Sequence, residues 1–213
     1  MILDPRFNGP PGSANGGYAC GVFSRLVDGC AEVTLRLPPP LGVELRTGDG
    51  RVYDGDALVA EVRPAERPAP ELPPHVPLEA AAATRYAGLD RHPFPTCFAC
   101  GPARNDGLAL RPGPVAPGIV ATPWIPESAE PEITWAALDC PSGWATEIGE
   151  GREAVLGRMT ADLPRPVTPG TAYVVTGWSI GAEGRKHRAG SVVRDESGEV
   201  YAVALATWIY LAR

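Results

Sequence analysis

Apolar and polar positions along the chain fall into two successions, each beginning with a helical period and continuing as strand-like alternation. In GGYACGVFSRLV (16–27), Val22, Phe23, Leu26 and Val27 recur at the spacing of one helix face. Asn15, just before the glycine pair, suits the N-cap, where its side chain can accept a free backbone N–H. Three short alternating segments follow: AEVTLRL (31–37), VELRT (43–47) and ALVAEVR (57–63). In the first, Val33, Leu35 and Leu37 alternate with Thr34 and Arg36, the period of a half-buried strand.

Residues 64–77 hold six prolines, at 64, 68, 70, 73, 74 and 77. Proline lacks the N–H that a sheet ladder needs, so this stretch is expected to be stiff and extended, and to divide the chain. EAAAATRYAG (79–88) suits a short helix, and FPTCFACGPARNDG (94–107) is a turn-rich loop. The order then repeats at greater length. GIVATPWIP (118–126) reads as a strand and EITWAALDCPSGWATEI (132–148) as a helix. The segments 154–163, 171–181, 186–195 and 200–212 read as four more strands, the last two joined by the hairpin turn DESGE. The last strand is apolar almost throughout, as expected of a strand covered on both faces. Helix followed by antiparallel strands, twice over, predicts an α+β fold with each helix covering an apolar sheet face. The expected division is 1–64, a linker over 65–96, and 97–213.

Composition changes this picture little. Glycine and proline number 25 each, but they separate apolar runs instead of replacing them, so they mark turns and not disorder. The net charge of −6 and the lack of a long basic run argue against nucleic acid as a partner. No apolar run spans a bilayer, and the N-terminus lacks the layout of a signal peptide. Five cysteines, an odd number without a secretion signal, fit reduced thiols in a cytoplasm.

The residues Asn15-Gly16-Gly17 at the first helix, Ala137-Leu138-Asp139 within the second, and the terminal hairpin GSVVRDESGEVYAVALATWIYL resemble the hot-dog superfamily of acyl-thioester enzymes, in its tandem, double hot-dog form. The resemblance extends over the chain apart from 64–96. It implies two long central helices, each wrapped by a curved antiparallel sheet, the two units side by side, and active sites where they pair. It further implies a cytoplasmic acyl-CoA thioesterase, with coenzyme A as part of the substrate and no other cofactor, and it allows a homodimer. In single-unit relatives the glycine turn and an acid share one helix. Here Ser24 stands nine residues after Asn15, where an acid would fall, and Asp139 has no glycine pair at its helix start. That departure implies one composite site, with the turn from the first half and the acid from the second.

Thioester hydrolysis needs a polarised carbonyl and an activated water. A helix N-terminus with free N–H groups, opened by glycines, supplies the first. Gly17 and Tyr18 are the candidate N–H donors, Gly16 lets a ligand approach, and the Asn15 amide would hold water or carbonyl. Asp139, in an apolar setting, is the candidate base or nucleophile. It could instead cap a helix starting at Pro141; a continuous helix through 133–138, kinked at the proline, is the alternative adopted here. On that helix Ser142 and Thr146 share a flank with Asp139 and would orient it or a water, while Glu147 falls on another flank and suits solvent. Arg185, Lys186 and Arg188, with His187 among them, could bind coenzyme A phosphates, or form a solvated hairpin turn. Cys97-x-x-Cys100, with His92 before it and Asp106 after, hints at metal; but no second CxxC matches it, and the expectation is two buried thiols and no metal. His75 and His92 lie in the linker region and His187 in the basic turn, so none is placed on a central helix for hydratase chemistry. A protein that binds an acyl or CoA ligand without turnover is the alternative function.

Overall fold

A computed structural model of the protein describes residues 1–146, 148 and 152–211. The first helix, α1, is Gly16–Ser24, and four strands follow: β1 (Ala31–Leu35), β2 (Arg46–Gly48), β3 (Arg51–Asp54) and β4 (Ala57–Pro64). A short helix α2 (Leu78–Ala82) precedes β5 (Gly113–Ala116) and β6 (Ile119–Trp124). Helix α3 (Pro131–Trp144) leads into β7 (Ala154–Asp162), β8 (Tyr173–Glu183), β9 (Lys186–Arg194) and β10 (Val200–Tyr210).

All ten described strands form one antiparallel sheet, in the order β2-β3-β4-β1-β7-β10-β9-β8-β6-β5. The two successions seen in the sequence meet where β1 pairs with β7, Val33 opposite Met159. Helices α1 and α3 pack on each other and on one face of this sheet. Between helices and sheet lies the main core, including Phe23, Val33, Leu138, Met159, Val175 and Ala204. The opposite face carries smaller clusters. Trp178, Val192 and Val203 pack under Leu72 of the proline-rich stretch, and Ala121 and Val174 pack under Ala81 of α2. Residues 65–77 are neither helix nor strand, as their prolines require, and they lie along this outer face, where Arg194 donates to the Pro73 carbonyl at 2.9 Å.

Several boundaries differ from the sequence expectation. Only α3, with 14 residues, is a long central helix; α1 has nine and a third helix, α2, has five. The first helix stops at Ser24 because the Ser24 hydroxyl bonds back to the Gly21 carbonyl and the Arg25 N–H to that of Phe23. Strands β3 and β5 escape the apolar-alternation signal. Each has four residues, lies near an end of the sheet, and buries one of them.

Candidate active site

Helix α3 runs unbroken through residues 133–138, so Asp139 lies inside it and does not cap a new helix at Pro141. Pro131 at its first turn suits a start, since the missing N–H would have no partner there. Every residue from Glu132 to Trp144 is buried. Pro141 is accommodated near the end, where its carbonyl accepts the Ala145 N–H at 3.1 Å. Strand β8 passes so close that a Cβ on Gly177 would lie 2.1 Å from that carbonyl oxygen.

The N-terminus of α1 faces Asp139. Asn15 caps the helix, its Oδ1 accepting the Tyr18 N–H at 2.9 Å. Its Nδ2 donates to Asp139 Oδ2 at 2.9 Å, and the Gly17 N–H donates to the same oxygen at 2.9 Å. Gly17 is required here: a Cβ would stand 2.4 Å from Asp139 Cβ and 2.6 Å from the Trp135 carbonyl. One turn on, a Cβ on Gly21 would meet Glu132 Cα at 2.6 Å. The two glycines therefore let α1 and α3 approach closely, and Arg25 closes the far end on Glu132 at 2.6 Å. The other oxygen, Asp139 Oδ1, is buried without a hydrogen-bond partner. Burial pushes the Asp139 carboxyl up to about 7, against the Gly17 and Asn15 donors, which favour the charged form.

A cavity of about 50 Å³ opens beside this pair, lined by Asn15, Gly16, His92, Asp139 and the sulfur-bearing Cys97, Cys100 and Cys140, with Leu156 and Trp208 among its apolar walls. That volume admits water. Sequence reasoning missed Cys140 as a site residue and singled out His92 only as a neighbour of the CxxC. Cys140 points toward a loop 43 positions earlier, and its Sγ lies 3.8 Å from Cys97 Sγ. His92, assigned to the linker, reaches the cavity with Nε2 at 3.3 Å from Cys100 Sγ, while its Nδ1 accepts the Phe94 N–H at 2.9 Å. Only the CxxC spacing hinted that this loop held a site.

The remaining candidates have other surroundings. The Tyr18 ring stacks on Phe7 with centroids 3.9 Å apart. Ser142 is fully buried; it donates to the Asp139 carbonyl at 2.7 Å and accepts from Trp208 Nε1 at 2.9 Å, so it supports the helix and does not line the cavity. Thr146 lies past the end of α3, hydrogen-bonded to the Gly143 carbonyl at 2.6 Å and to the Tyr210 hydroxyl at 2.7 Å. Arg185, Lys186 and Arg188 sit at the β8–β9 hairpin, apart from the residues lining the cavity. Glu147 lies outside the described residues.

The fold is that of hot-dog proteins. No protein-family model and no curated protein matches the chain. Among solved structures, a TesB protein of Mycobacterium avium subsp. paratuberculosis superposes with a TM-score of 0.60 at 13% identity, covering 99% of this chain and 91% of that one. A candidate thioesterase from Novosphingobium aromaticivorans gives 0.66 at 14% identity, covering 100% and 94%. A protein of unknown function with a hot-dog fold, from Alicyclobacillus acidocaldarius, gives 0.64 at 11% identity, covering 98% and 90%. At these identities the likeness is one of fold.

Proposed function

We propose that the protein is a thioester hydrolase of the double hot-dog kind, acting on an acyl-CoA or related acyl thioester at one composite site. The observation that carries this is the meeting of Asp139, from the central helix of the second half, with the Gly17 N–H and Asn15 amide at the helix start of the first, at 2.9 Å each. An acid and two convergent donors beside a water-sized cavity are the parts that acyl transfer to water needs. The fold shared with structures described as thioesterases agrees with it.

In the free protein both donors rest on Asp139 Oδ2. A thioester carbonyl entering the cavity takes over the Gly17 N–H, placed at the positive end of α1, and the Asn15 amide steadies the carboxylate. Asp139 then removes a proton from water as hydroxide adds to the carbonyl carbon. The tetrahedral oxyanion is held by the Gly17 N–H, the C–S bond breaks, and the leaving thiolate receives the proton from Asp139. The cavity fits this water and the reacting carbonyl; the acyl chain would extend beyond it.

The test is release of free coenzyme A from a panel of short, medium, long and aromatic acyl-CoA thioesters. Turnover of one class that disappears in Asp139→Asn supports hydrolysis. Tight binding of a thioester with no turnover of any would favour the ligand-binding alternative.

A further inference from the structure

The three cysteines beside Asp139 are unused in the reaction above, and their geometry is that of a metal site. We propose that Cys97, Cys100 and Cys140 bind one zinc ion as three thiolate ligands, with the fourth position open to the cavity. Their Sγ atoms all lie within 4.8 Å of one another and all are buried. Tetrahedral zinc with bonds of about 2.3 Å to sulfur places its sulfurs about 3.8 Å apart. Cys97 Sγ and Cys140 Sγ are 3.8 Å apart. The second cysteine pair that a zinc site is usually built from is replaced here by a single thiol from α3.

Hydrogen-bond donors face the sulfurs from several directions. Backbone N–H groups of Ala99 and Cys100 point at Cys97 Sγ, and the Trp144 indole at Cys100 Sγ. Asn15 Nδ2 lies 3.7 Å from Cys97 Sγ and 3.9 Å from Cys140 Sγ. His92 completes this set of donors and is not itself a ligand. Its Nδ1 accepts a backbone N–H, so the ring proton sits on Nε2, directed at Cys100 Sγ. Such donors orient and tune sulfur ligands from outside the coordination sphere.

Hydrogen bonds tie the loop to its surroundings. The Gly101 N–H closes on the Cys97 carbonyl at 2.8 Å, and Phe98 N–H on the Asn8 carbonyl at 2.7 Å. Arg111 donates to the Cys100 carbonyl at 3.0 Å, and Arg104 to Asn8 Oδ1 at 2.7 Å. Three thiols thus converge on one point from two rigid elements. Cys20 and Cys30 stand outside the cluster and serve as internal controls.

The experiment is direct and independent of any hydrolytic activity. The intact chain, reduced and stripped with a chelator, is titrated with Zn²⁺ and separately with Co²⁺. The expected result is one metal per chain, and a Co²⁺ spectrum with thiolate charge-transfer bands and the strong d–d absorption of a four-coordinate site. Cys140→Ser abolishes both, Cys30→Ser changes neither, and His92→Ala weakens Zn²⁺ about 10- to 100-fold with the stoichiometry kept. Should Cys140→Ser fail to fold, the wild-type chain still decides: Zn²⁺ should slow alkylation of Cys97, Cys100 and Cys140, mapped by mass spectrometry, and leave Cys30 unprotected. Absence of stoichiometric zinc, a cobalt spectrum without charge-transfer bands, or equal alkylation with and without Zn²⁺ would overturn the proposal.

Discussion

Asp139 holds two donors on one carboxylate oxygen and none on the other, in a fully buried position. A buried charge with an unpartnered oxygen costs stability, the usual signature of a group kept for chemistry. Asp139→Asn keeps an oxygen for Gly17 and Asn15 and removes the charge. It should therefore raise stability by about 1 kcal/mol, seen as a rise of about 2–4 °C in the thermal midpoint, while hydrolysis falls steeply. A fall in midpoint would mean the carboxylate is a structural member and not a strained one. Asn15→Ala removes both the cap on α1 and a donor to Asp139; denaturant unfolding should show a loss of about 0.5–2 kcal/mol. An acid in an apolar, small-residue run made Asp139 legible as a candidate from sequence. Cys140 was not, because it gains its meaning from a sulfur 43 positions earlier, and His92 was visible only as a neighbour of the CxxC.

The two central helices are held by absences as much as by side chains. Gly17 and Gly21, one turn apart on α1, leave room for the backbone of α3. A methyl at Gly21 would press on Glu132 Cα at 2.6 Å, so Gly21→Ala should destabilise by about 1–3 kcal/mol in denaturant unfolding, with the shift in midpoint and not in slope. No measurable change would show that α1 can withdraw, and that the contact to Asp139 is looser than its distances state. In the sequence the glycine pair at 16–17 signalled a helix entry open to a ligand. Its second role, close helix contact, needs Gly21 as well: the Gly17-x-x-x-Gly21 spacing puts two glycines on one face, but what lies opposite them comes from α3. The long strands β7 to β10 were readable because they are apolar and periodic; β3 and β5 were not, because short strands near the ends of a sheet bury too little to leave a period.

At the scale of the molecule, β1 pairs with β7 and α1 packs on α3, so the two repeats share one sheet and one core. All five tryptophans lie from Trp124 onward, in the second half. Unfolding followed by tryptophan fluorescence should therefore coincide with unfolding followed by far-ultraviolet circular dichroism, which reports both halves. Two separated transitions would mean that the halves fold as independent units. The α+β class and the repeat of helix and sheet could be read from apolar spacing; that the proline-rich stretch would lie over the outer face, with Leu72 against Trp178 and Val203, could not, since its docking partners come from distant strands. Shared packing is also what a composite site demands, with Asn15 and Gly17 from one half and Asp139 from the other. The most direct test is kcat/KM for the best acyl-CoA thioester, measured for wild type and for Asp139→Asn with the fold verified by circular dichroism. Loss of Asp139 as the base should lower it by about 10²- to 10⁴-fold. Retention of the wild-type rate in a folded Asp139→Asn chain would contradict the assignment of hydrolysis to this site.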